Sequence, residues 1–409
     1  MFVSSEGNGA LPLLLPNSRS LFFFFFSVNS KLSPLNPTPP PPRPPPNKQP
    51  HKFDSSSNRI DRVCTTTSNP ITGTFLIPST GVFVVGDYSF ASGLDAFGKL
   101  TKFEISPDET CVTSVMMNTG FYNQSLAAGK IIEGVLFKDT VPPREKCKLS
   151  APMCNLNGPN DNVFVNTVQL NDGRIVAVTD SPTWLTVEGE TLTIGERLPF
   201  SKIESGQIGM LGSGHPLWVP IGGKDTLVGL EVAEGMMNPD VLVYSVDSTD
   251  ERSTLATLNP SSLVEKSGKW MPYFHSFGIT HSPEARPDTT PKVVLPLQPL
   301  GVNMLNLMTS ALMSEAFDEV PELETFKITF APLDGGDDNW TTYTSTVKFY
   351  YVHVVNSYEE EDWTIVVYLT SFGINPFLTT LVDLEVARNG TKLAEEAAAS
   401  KAARSSGAG

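Results

Sequence analysis

Three histidines hold the chemistry that this chain can do. Histidine occurs only five times in 409 residues, and three copies sit in apolar or aromatic surroundings: His215 in GSGHPLW, His275 in MPYFHSFGIT and His353 in FYYVHVVNSYEEED. A neutral imidazole offers one lone pair and suits iron, copper, zinc and nickel alike, so the residues suggest a metal site without choosing the ion. Separations of 60 and 78 residues are too long for a local metal loop, so only tertiary folding can bring the three together. Singly, a histidine in an apolar strand is usually a hydrogen-bonded core residue. Of the remaining two, His51 lies in a proline-rich stretch and His281 follows closely behind His275. The acidic run Glu359-Glu360-Glu361-Asp362 reads as a solvated turn rather than as further ligands.

Elements that could position such residues are mostly strands. From about residue 62, short apolar runs rich in β-branched and aromatic residues alternate with Gly, Pro, Asp, Asn and Ser. GTFLIP, KLTKFEI, RIVAVT, TLVGLEV, DVLVYSV, KVVLPL, VKFYYVHVV and WTIVVYL all fit strands of ordinary length. About 300 residues of this pattern without a helical layer exceed one sandwich and favour a β-propeller, whose innermost strands converge on an axis. Helical periodicity is confined to NMLNLMTSALMSEAF (303–317) and to the Ala-rich TKLAEEAAASKAARS (391–405). The first could line an apolar tunnel, rest on a membrane surface or simply pack in the core.

Composition removes several classes of function. A net charge of −15 leaves no basic stripe for nucleic acid. No Walker loop, dinucleotide fingerprint, HExxH or GxSxG elbow occurs. The four cysteines, Cys64, Cys111, Cys147 and Cys154, show no CxxC spacing; Cys147 and Cys154 are near enough to pair, and free buried thiols are the favoured reading. Residues 1–61 form a separate region, expected to be a disordered extension. LFFFFF (21–26) is far shorter than the roughly 20 residues that span a bilayer, and PTPPPPRPPPNKQP (37–50) can join neither helix nor sheet. The extension is either a targeting segment with a stiff spacer or of no consequence. The NxS/T sequons at Asn123, Asn339 and Asn389 are chance-level matches.

The histidine motifs resemble those of the carotenoid cleavage oxygenases. GHPLW keeps the His-Pro core of that family's first motif, roughly AHPH-x-D. HSFGIT at 275–280 matches its second, HSFGxT, throughout. VHVVNSYE at 352–359 keeps His353, Asn356, Tyr358 and Glu359 of the third, approximately FHHxNxYE. Segments 71–105 and 161–195 resemble the family's opening blade and the blade before its first histidine. The resemblance covers about residues 70–390. It implies an all-β, seven-bladed propeller with short helical insertions, here incomplete at the C-terminus, spanning 62–390 and followed by an Ala-rich tail at 391–409.

By the same resemblance the chain is a non-haem iron(II) dioxygenase that cleaves a conjugated C=C bond of a carotenoid, apocarotenoid or related apolar substrate with O2. His215, His275 and His353 would hold Fe(2+). The compartment stays open between plastid and cytoplasm, with peripheral membrane contact as one alternative. Family members back their histidines with glutamates, which orient the rings. The matching position here is Asp180 in AVTDSP, one methylene shorter, so a water bridge is expected in place of a direct bond. Two departures stand out. Trp218-Val219-Pro220 occupies the place of the first motif's aspartate, and no histidine follows His353 to supply a fourth motif. The alternative is therefore a family derivative that binds an apolar ligand, or a truncated one, without catalysis.

Overall fold

The computed structural model describes residues 21–26, 59–67, 71–144, 160–198, 209–233, 240–259, 270–280, 290–320, 327–333, 340–373 and 375–378. The expected strands form, and they gather into small sheets of three to five strands. Most sheets are antiparallel meanders, because short turns can join only antiparallel neighbours. One runs through Asn166–Gln169, Ile175–Thr179, Ser181–Val187 and Ile194–Arg197 in sequence order. The next takes Gly209–Gly212 and Leu217–Ile221 onto Lys224–Ala233, followed by Val241–Val246 and Arg252–Leu258. Another joins Gly278–Ile279, Lys292–Leu297, Lys327–Pro332 and Thr341–Thr344.

Burial shows how the sheets are arranged. A sheet with one wet face alternates buried and exposed residues, whereas every residue of Lys292–Leu297 is buried, as is nearly all of Val241–Val246. Both faces of these strands are therefore covered by neighbouring sheets. A continuous core links Val228, Leu230, Val243, Phe277, Val293 and Tyr350 across several sheets. Each such side chain contributes about 1.5–3 kcal/mol by leaving water. Sheets stacked face on face like this are the blades of a β-propeller. Close stacking also explains Gly229, where an added Cβ would lie 2.5 Å from the Tyr244 ring.

Four expectations are corrected. The run 303–317 is not one helix but two, Met304–Ser310 and Met313–Ala316. Ala311 takes a left-handed φ of 53° and ends the first helix, while Leu312 forms a parallel bridge to Leu136. The Ala311 carbonyl accepts from Leu136 N–H, and the Leu136 carbonyl accepts from Met313 N–H, so tertiary hydrogen bonds override helical periodicity. The expected extension 1–61 is partly built in. Leu21–Phe26 lies parallel to Ile365–Thr370 and covers an edge that would otherwise offer unpaired backbone groups, and Arg59–Thr66 joins the first sheet.

The third correction concerns the thiols. Cys64 and Cys111 face each other on antiparallel strands and form a disulfide, because the sheet register places them side by side. Cys147, Cys154, His51, His281, Asn339, Asn389 and the Ala-rich tail lie outside the described residues.

A helix without an apolar period completes the part of the fold that matters for the site. Gly120–Ala128 is capped by the Thr119 hydroxyl, which accepts from Tyr122 N–H, and ends at Gly129 in the left-handed region. The Asp161 carboxylate accepts from the N–H groups of Gly120 (2.6 Å) and Phe121 (3.0 Å), tying the helix N-terminus to the following sheet. Among the described residues no helix is long and apolar enough to cross a membrane.

Candidate metal centre

The three histidines meet. His215 precedes the strand Leu217–Ile221, His275 lies between Trp270–Pro272 and Gly278–Ile279, and His353 sits within Tyr350–Glu359. His275 Nε2 is 3.1 Å from His215 Nε2 and 3.1 Å from His353 Nε2. The rings stand at 72–83° to one another, so they present three separate edges to one point. The fourth correction belongs here: Asp180 reaches His275 directly. Its Oδ2 accepts from His275 Nδ1 at 2.7 Å, with no need for a bridging water. The shorter side chain suffices because Asp180 lies at the one-residue tip of the hairpin between Ile175–Thr179 and Ser181–Val187, which carries it inward.

That tip is pinned from three sides. Asp180 Oδ1 accepts from Gly214 N–H at 3.0 Å, Oδ2 also accepts from the Tyr273 hydroxyl at 2.7 Å, and the backbone carbonyl accepts from Gly212 N–H at 3.2 Å. Burial alone would push the Asp180 carboxyl up; the His275 charge and these hydrogen bonds outweigh it and hold the pKa below its ordinary value. Burial pulls His275 down, but the Asp180 charge and hydrogen bond prevail and raise it. An ionised Asp180 keeps the proton on Nδ1 and leaves the Nε2 lone pair facing the other two rings.

His215 and His353 are different. Burial, reinforced by the His275 charge, draws each of them down to about 4. Both are neutral near pH 7 and can present lone pairs. Nitrogens bound at about 2.1 Å to one ion with near-perpendicular bonds lie roughly 3 Å apart, which is the spacing found here. A cation between the nitrogens relieves the repulsion of converging lone pairs, so the residues fit a metal ion. The other polar residues of the third motif are engaged elsewhere and do not reach the centre. Glu359 pairs through both oxygens with Lys292 Nζ (2.8 and 2.7 Å), and Asn356 caps the backbone N–H of Ser357. Glu360, Glu361 and Asp362 are exposed.

Small motif residues set the spacing of the histidines. The Ser213 hydroxyl donates to the His275 carbonyl (2.8 Å) and accepts from His215 N–H (3.2 Å). The Ser276 hydroxyl donates to the Val352 carbonyl (3.0 Å) and accepts from Val354 N–H (2.7 Å), so it grips the backbone on both sides of His353. Gly278 packs against the same strand; a Cβ there would come within 2.6 Å of Ser357 Oγ and 3.1 Å of Val354 Cγ1. At Gly214 a Cβ would lie 2.5 Å from Val165 Cγ1. Tyr273, Ser213 and Ser276 went unsingled by sequence reasoning. Their only signal was lying within two residues of a motif histidine.

The centre opens onto a cavity of about 530 Å³, of the size that holds a small-molecule ligand. His275, His353, Asp180 and Tyr273 line its inner wall. Phe121, Phe137, Phe164, Leu307, Met313 and Phe377 supply much of the apolar remainder. The segment 303–317 thus serves both cavity and core, since Leu307 and Met313 also belong to the central apolar cluster. Asp95 in this wall is buried, which pushes it up to about 7 against the pull of the Lys138 and Phe137 N–H groups that it accepts from.

Comparison with known proteins agrees with this geometry. The family model for retinal pigment epithelial membrane protein matches residues 69–406. No curated protein matches the chain significantly. Among solved structures, a Glu→Asp variant of Synechocystis apocarotenoid oxygenase superposes with a TM-score of 0.55 at 20% identity, over 74% of this chain and 58% of that one. A chimera of that oxygenase with the retinal pigment epithelial protein gives 0.55 at 18% identity, over 74% and 58%. The cobalt-substituted Synechocystis enzyme gives 0.59 at 18% identity, over 80% and 63%. The chain thus spans about three-fifths of the length of these structures, and at such identity they establish the fold, a β-propeller of the carotenoid oxygenase type. With a family match over most of its length, the chain belongs to the retinal pigment epithelial membrane protein family, the carotenoid cleavage oxygenases.

Proposed function

We propose that this chain is a non-haem iron(II) oxygenase that cleaves a conjugated C=C bond of a carotenoid, apocarotenoid or related apolar substrate, with His215, His275 and His353 as the metal ligands. The observation that carries this reading is the convergence of three imidazole nitrogens beside an apolar cavity, with His275 and His353 in its wall. Ferrous iron held by His215, His275 and His353 would supply the activation of O2 needed to cleave the C=C bond into two carbonyl products. The protein's own residues do the rest. His215 and His353 stay neutral through burial, and Asp180 orients His275 and keeps its proton on Nδ1. The aromatic wall excludes water and selects the bond by the shape of the cavity.

The test is anaerobic reconstitution of the purified chain with ferrous iron, followed by elemental analysis and by loss of polyene absorbance with an apocarotenal. About one iron per chain is expected, falling to near zero in His275→Ala, together with product formation that needs both iron and O2. A chain that takes up no iron sinks the reading. A second reading, binding of an apolar ligand without catalysis, is favoured by the number of converging imidazoles, since among the described residues only three ligand groups gather here. It expects His275→Ala to keep ligand binding and function intact, and loss of cleavage in that variant excludes it.

A further inference from the structure

The residues around the cavity include one exposed cationic side chain. Arg197 lines the cavity, and it is the only lysine or arginine among the described residues that does. The two carboxylates that also line the cavity are already engaged. Asp95 accepts from the N–H groups of Phe137 and Lys138 with its two oxygens, and Asp180 accepts from His275, Tyr273 and Gly214. Among the described residues Arg197 makes no ion pair and no side-chain hydrogen bond, although Arg144, Arg174 and Arg252 all pair with carboxylates. A guanidinium presents a planar fork of donors that matches a carboxylate with two parallel hydrogen bonds. Arg197 is exposed, so its fork stands where the cavity meets solvent and is free to turn toward a ligand's charged end.

The position fits a head group at one end of the cavity and the histidines at the other. Arg197 stands opposite Leu185 in its sheet, five residues along the strand from the Asp180 tip. At about 3.3 Å per residue this is roughly 16 Å, a separation that an extended chain can bridge. Leu211, Phe164 and Val165 lie in the same wall, and all are apolar.

We propose that this cavity takes an amphipathic ligand, an extended apolar chain ending in a carboxylate that Arg197 binds. The inference deepens the reading of the cavity as the substrate site and rests on it. It specifies a preference for a polyene acid over the hydrocarbon, alcohol or aldehyde of the same chain.

The experiment uses the full chain, metal-free, and follows quenching of tryptophan fluorescence by retinoic acid, retinol and retinal, which share one polyene and differ in head group. The wild-type chain should bind retinoic acid about tenfold more tightly than retinol, the effect of a charge-assisted hydrogen bond. Arg197→Leu should abolish that preference while leaving retinol affinity within about twofold, and Arg197→Lys should keep part of it. Unchanged retinol binding in Arg197→Leu doubles as the control for folding. Equal affinity for the three probes in the wild type, or an equal loss for all three in Arg197→Leu, overturns the proposal. Because no metal is present, a chain that fails to load iron yet prefers the acid refutes oxygenase chemistry alone. A chain that loads iron without the preference refutes the role of Arg197 alone.

Discussion

Asp180 shows how much a single carboxylate can do when its backbone is placed correctly. It is held by His275, Tyr273 and Gly214 together. Substituting Asp180→Asn keeps the shape, removes the charge and places an amide where His275 needs an acceptor. Affinity for a divalent ion should fall by about 10–100-fold, the usual cost of losing such a partner. Titration with Co(2+), followed by its visible absorption, measures this without requiring turnover. Tyr273→Phe should give a smaller loss of the same kind, since it removes one of three donors to the carboxylate. The histidines were legible in the sequence because each sits in a distinctive motif. The directness of the Asp180 contact was not, because side-chain length says nothing about where a hairpin tip lies.

At the scale of elements, the site depends on how closely adjacent innermost strands approach. Gly278 lets the His275 segment lie against Tyr350–Glu359, and Ser276 fastens the two. Gly278→Ala forces a methyl group into Ser357 and Val354, and such overpacking costs about 1–3 kcal/mol. Thermal unfolding should register it as a melting point lower by several degrees, accompanied by weaker metal uptake as the two histidines part. Ser276→Ala should weaken metal uptake with less effect on stability, because the backbone groups it serves remain close to other strands. Most strands could be read from β-branched runs bounded by turn residues. The break at Ala311 could not, because Leu136, far away in sequence, supplies the hydrogen bonds that cause it. The Cys64–Cys111 pair was hidden for the same reason, since register between strands decides which residues face each other.

For the whole molecule, the buried centre couples folding to pH. His215 and His353 have pKa values of about 4 in the folded chain against 6.5 for the free side chain. Between those values the unfolded chain binds more protons than the folded one, so stability rises with pH and is lost as pH falls from about 6.5 through 4. Urea unfolding of the metal-free protein at pH 4.5 and at pH 6.5 should show this difference, and it should shrink in a His215→Phe, His353→Phe double variant. Asp95, raised to about 7, works in the opposite sense, because its contribution is present at low pH and is lost as pH rises to about 7. The histidine effect must therefore be read as the change between wild type and double variant.

The serine contacts between histidine segments also carry a consequence for biosynthesis. His215 leans on the backbone of His275 through Ser213, and the His275 segment leans on that of His353 through Ser276. A ribosome must therefore release the strand bearing His353 before the earlier two imidazoles acquire their third neighbour. Until then a growing chain can offer at most a two-nitrogen site, too poor to retain an ion firmly. A metal ion bound here would be acquired late, after translation of this strand, and its arrival would act as a clasp on an already stacked set of blades.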